Sequence, residues 1–146
     1  MFKLFGKKNN EDPRDVEQVI YDVAESNKDE DFHRLYELLI DKELYIPIDP
    51  ASLPKDTLPG SKIVTDSSSQ IRVKTVQGPG GQFLVPSSTS TEHQIVQSGY
   101  VGMKWFDYLE MVLKIPEAWG ALLQGKTSYV GFDKERIKYI LGKYNV

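Results

Sequence analysis

The stretch from Phe83 to Ile140 constrains the fold most, because its patterning changes character repeatedly and never settles into a repeat. Gln82-Phe83-Leu84-Val85 reads as a strand. Thr89 and Glu92 stand at capping-box spacing, in which side chains satisfy the free N–H groups of a helix start. That predicts a short helix through Ile95 and Val96. Tyr100 to Met103 reads as another short strand. Trp105, Leu109, Val112 and Leu113 follow at helical spacing, ending near Pro116. Ala118–Leu123 and Thr127–Phe132 read as a hairpin with Gly125 in the turn, and Asp133 caps a last helix with Ile137, Ile140, Leu141 and Tyr144 facing inward. Strands and helices mix without regular βαβ alternation. The expected class is therefore α+β, a small mixed or antiparallel sheet flanked by short amphipathic helices.

The first half supports this class. Asp12 before Pro13 is a good helix start, since proline at the first helical position loses no needed N–H. Val16, Val19, Ile20 and Val23 share one face, and Phe32, Leu35, Tyr36 and Leu39 repeat the stripe, with Asn27 and Glu30 as the second start. Two helices are thus expected within 13–41. Leu44 to Ile48 reads as a strand that lies at a sheet edge or ends at Pro47. Residues 49–70 read as a polar loop, and 71–85 as a hairpin turning at Gln77–Gly81. The chain is long enough for one domain with a real core. We place that domain at 13–146, after a flexible terminus at 1–12.

With no cysteine, the chain has no disulfide, thiolate metal site or cysteine nucleophile. That suits a reducing cytosol. No run of 18 apolar residues is present, and MFKLFGKKNN is not a signal peptide, so a cytoplasmic protein is expected. Phe2, Leu4 and Phe5 with Lys3, Lys7 and Lys8 offer a bilayer only weak contact, with no stable insertion. The net charge of −3 hides an acidic block, because residues 9–50 carry 13 acids against 4 bases. Such a block is either a solvated helix surface or a face for a basic protein partner. It disfavours nucleic acid, which needs clustered cations.

No catalytic motif stands out. His33 and His93 are the only histidines, and no H-E-x-x-H or close pair exists, so no metal or cofactor is expected. Ser87, Ser88 and Ser90 lie near His93 in sequence, but no G-x-S-x-G elbow accompanies them. Caps explain these hydroxyls more cheaply, while Ser88, Thr89, Ser90 and His93 remain a candidate anion or small-ligand site at a helix start. Trp105, Phe106, Tyr108 and Trp119 read most simply as core, with one of the first three left for contact. The candidate protein-contact residues are Glu11, Asp15, Asp29, Asp31, Trp105 and Tyr108.

The order RLYELLIDKELYIPID, FLVPSSTSTEHQI, GMKWFDYLEMV and WGALLQGKTSYVGFDKERIKYIL resembles the SseB N-terminal domain family over roughly residues 13–142. Val85-Pro86-Ser87-Ser88 departs from it, standing where that family usually shows phenylalanine before Thr-Ser. The resemblance implies a bacterial α+β domain without an established catalytic activity, named for a serine-sensitivity phenotype. It supplies no catalytic residue to carry over. The leading expectation is a non-enzymatic interaction module, in its specific form an immunity protein that neutralises a basic toxin. The alternative is a serine-related small-molecule or anion sensor.

Overall fold

The computed structural model describes residues 13–49, 73–78 and 80–144. Expectations for 1–12, including Glu11 and the Asp12 cap, and for the 50–72 loop lie outside these residues. The fold is α+β. In chain order, the elements are helices α1 (Val16–Ser26) and α2 (Asp29–Leu39), and strands β1 (Glu43–Pro47), β2 (Val76–Gln77) and β3 (Phe83–Ser88). After a 3₁₀ turn (Gln94–Val96) come β4 (Tyr100–Lys104), helix α3 (Trp105–Leu113), β5 (Ala118–Gln124), β6 (Tyr129–Asp133) and helix α4 (Lys134–Tyr144).

The sheet order is β4-β1-β3-β5-β6, with β2 also paired to β3. All pairings are antiparallel except β3 with β5, where Val85 faces Ala121 and Ser87 faces Leu123. The sheet is therefore mixed. A parallel neighbour needs a crossover, and here β4 and α3 fill it. Pro47 is the last residue of β1, as its missing N–H demands, but β1 is not an edge strand.

The helices start differently from the sequence reading. Asp15 caps α1, which begins at Val16, its carboxylate accepting from the Gln18 amide at 2.9 Å. Asn27 closes α1 in the left-handed region, with φ 58°, instead of opening α2. Asp133 does cap α4, accepting from the Arg136 amide at 2.8 Å.

One core cluster draws on every helix and runs from Val19 to Ile140. Val19, Ile20 and Leu35 are sealed in it, as are Leu44, Ile46 and Val85 from the strands. Trp105 and Phe132 pack edge to face at its centre, with centroids 5.7 Å apart. Two polar links fasten it. Tyr108 of α3 donates to the carbonyl of Val85 in β3, and Ser87 donates to the Leu122 carbonyl of β5 at 3.2 Å. Glu17 of α1 accepts from the Lys126 amide at 2.7 Å with one oxygen and from the Thr89 hydroxyl with the other. It thereby ties the first helix to the β5–β6 turn and to the segment after β3.

Backbone approach is tightest at Gly120, where an added Cβ would lie 1.9 Å from the Phe132 carbonyl oxygen. At Gly142 in α4 an added Cβ would meet nothing within 4 Å. Urea denaturation should separate the two positions. Gly120→Ala should lose about 3 kcal/mol or more, and Gly142→Ala should gain about 0.5–1 kcal/mol. A Gly120→Ala loss below about 1 kcal/mol would show that β5 and β6 are not held this closely.

Candidate functional site

Helices α2 and α4 flank a cleft of about 460 Å³. From α2 it takes Asp29, Phe32, His33 and Tyr36, whose spacing of three and four residues puts them on one helix face. From the end of β6 and the first turns of α4 it takes Asp133, Glu135, Arg136 and Tyr139. The apolar stripe that seals α2 into the core also floors the cleft, because Phe32 and Tyr36 serve both.

The ring groups form one connected set. The Arg136 guanidinium lies over Phe32, 4.8 Å from its centroid, and donates to the Tyr36 hydroxyl at 3.3 Å. His33 is hydrogen-bonded through Nδ1 to the Tyr144 hydroxyl. The Tyr36 ring meets Tyr144 edge to face at 5.6 Å. Burial pushes the Tyr36 hydroxyl up to about 12, against the opposing pull of Arg136. Burial raises Tyr108 in the same direction. Among the described residues, the Asp29 carboxylate has no hydrogen bond or ion pair.

The residues singled out from sequence scatter. Asp15 is spent on its cap. Asp31 is buried, paired with Arg14 at 2.9 Å and receiving the Ser26 hydroxyl at 3.1 Å. The same guanidinium holds Asp22 at 2.8 Å. Asp31 is thus part of the α1–α2 contact, not of an open face. Trp105 and Tyr108 must also be withdrawn as contact residues. Both are fully buried, because their helix turns that face onto the sheet. Among the described residues of the protein-contact set, Asp29 alone is placed in the cleft. In sequence Asp133 reads only as a helix cap, and nothing links it, Glu135, Arg136 or Tyr139 to Asp29, since they lie about a hundred residues away. The spacing of Phe32 and Tyr36 was visible, but it signalled core and not a cleft floor.

The hydroxyl-rich segment folds on itself. Ser88 is buried, donating to the Ser90 carbonyl at 2.7 Å and accepting from the Ser90 amide at 3.1 Å. Thr89 is taken by Glu17, and the Ser90 hydroxyl accepts from the Glu92 amide at 3.1 Å. His93 caps the 3₁₀ turn, its Nδ1 accepting from the Ile95 amide at 3.1 Å. The predicted Thr89 capping box therefore does not form, and the helix it was to start is a three-residue turn. Among the described residues, His93 makes no hydrogen bond to a hydroxyl side chain, and no three His, Asp or Glu side chains converge to hold a metal ion. None of their helices is long and apolar enough to cross a membrane.

The raised tyrosines have a consequence at alkaline pH. Between about pH 10, where an unfolded tyrosine ionises, and the Tyr36 value of about 12, the unfolded chain releases a proton that the native one keeps. Stability is therefore whole below pH 10 and falls as pH rises through that window. Tyr36→Phe should remove on the order of 1–2 kcal/mol of that loss, read from urea midpoints at pH 8 and pH 11. Identical pH dependence in variant and parent would contradict it. No protein-family model, curated protein or solved structure matches this chain, so the site rests on its own geometry.

Proposed function

We propose that this chain is a non-enzymatic protein-interaction module of the SseB type, which receives a basic protein partner on its acidic helical layer. In its specific form, it is an immunity protein whose partner is a basic toxin. A cytoplasmic setting fits this reading.

The observation that carries it is how the acidic block divides. Asp22 and Asp31 share the single guanidinium of Arg14, which offsets one of their two charges, and Glu17 is engaged as a brace. Glu25, Asp29 and Glu30 remain at the surface. These exposed carboxylates lie on the second half of α1 and the first turn of α2, where no lysine or arginine other than Lys28 intervenes. Charges arranged this way steer a cationic partner and speed its capture. The sensor reading draws less support, because Ser88, Thr89, Ser90 and His93 are already hydrogen-bonded within the protein.

Capture from lysate of the native strain at low and high salt tests the proposal. A basic protein should be retained at low salt and released at high salt. Its retention should fall about tenfold with Glu25→Lys and Glu30→Lys together. A partner indifferent to both salt and charge reversal, or no partner under either condition, would overturn the proposal.

A further inference from the structure

The acidic layer attracts a basic surface without saying where a side chain would be gripped. The α2–α4 cleft supplies such a place, and its chemistry is more specific than its charge. Three of its walls are aromatic: Phe32, Tyr36 and Tyr139, the last 46% exposed. Three carboxylates and one guanidinium line it, so it carries an excess of negative charge.

The molecule already shows what these rings accept. Arg136 lies on Phe32, and the Lys143 ammonium sits 5.7 Å from the Tyr139 centroid and donates to its hydroxyl at 3.2 Å. Two of the chain's own cations thus use the aromatic walls. Arg136 also touches the Tyr36 hydroxyl, so its donors are partly spent inside the cleft. The acceptors are less used. Asp29 has no partner among the described residues. Among the described residues, Glu135 meets only Lys138, at 3.5 Å with both side chains largely in solvent, a pair of little strength. Asp133 uses one oxygen on its helix cap. The cleft is therefore short of donors, and an incoming group must bring several.

We propose that this cleft receives an arginine side chain of the partner, its guanidinium lying against Tyr139 and paired with Asp29 and Glu135. Guanidinium is flat enough to stack on a ring and carries five donors in a fork that matches carboxylates. Lysine offers a compact ammonium without the planar face, so it binds less well. A neutral or anionic group meets unpaid carboxylates. The cleft's size lies within the range of side-chain and small-ligand sites. The proposal rests on the reading of the chain as a receiver of basic protein and names the residue that would be gripped.

Titration with the tripeptide acetyl-Gly-Arg-Gly-amide, followed by aromatic ¹H–¹³C NMR at low salt, tests it. Saturable shifts should appear at Phe32, Tyr36 and Tyr139. The lysine tripeptide should bind at least threefold more weakly, and the citrulline tripeptide, of equal shape but uncharged, should give no shift. Asp29→Asn with Glu135→Gln should weaken arginine binding at least fivefold, with the melting temperature unchanged. Equal shifts with citrulline, shifts only outside the cleft, or full binding by the double variant would overturn the proposal. Glu25→Lys and Glu30→Lys lie outside the cleft and should leave arginine binding within twofold. If capture of a basic protein fails but the tripeptide binds, the general reading falls alone. If capture succeeds and the tripeptide does not bind, the cleft falls alone.

Discussion

The pairing of β3 with β5 is the contact on which the rest of the structure depends. It is the one parallel pairing in the sheet, and it sits between the β1–β4 half and β6. Strands this far apart in sequence close a long loop before any reward is gained. The reward comes from burial of Val85, Ala121 and Leu123, and from hydroxyls that satisfy carbonyls the core would otherwise strand. Tyr108 serves Val85, and Ser87 serves Leu122. The Tyr108 hydroxyl also lies 3.3 Å from the Leu122 carbonyl, so it fixes α3 to both central strands and holds the crossover in place. These links also set β5 so that Gly120 can take β6 at close range, which leads directly into α4.

The cleft follows from that arrangement. β6 ends at Asp133, and the same residue caps α4, so the position of the helix is set by the strand before it. Phe132, one residue earlier, packs against Trp105 and lies 6.2 Å from the Tyr36 ring. The core therefore reaches across to α2 and brings its aromatic face beside α4. Arg136 then bridges the two helices through Phe32 and Tyr36. A cleft built on packed helices in this way is held by the core and not by loops.

Much of the fold was legible because it is encoded locally. The stripes at 19, 20 and 23 and at 32, 35, 36 and 39 are buried as their spacing requires. The strands at 100–104, 118–124 and 129–133 fall where alternation and turn residues place them. The misreadings came from competition between nearby candidates. Asp15 took the cap of α1, and Asn27 took the left-handed position that ends a helix. Thr89 lost its capping role because Glu17, far away in sequence, claimed its hydroxyl. The cleft was hardly legible, since it joins Asp29 to residues 133–139 through tertiary packing. Charge counting overstated the acidic surface for a similar reason. It cannot show that Asp31 is buried against Arg14.

Helices α2 and α4 share one core with the β3–β5 pair and so belong to the same cooperative unit, which makes the cleft part of the fold itself. Native-state amide hydrogen exchange measures this directly. The amides of Val85, Leu123, Tyr36 and Ile140 should all exchange with one free energy, equal to that of global unfolding. If Tyr36 and Ile140 instead exchange through a cheaper opening while Val85 and Leu123 stay protected, the helices detach from the sheet. The cleft would then not be preformed, and the account would be contradicted.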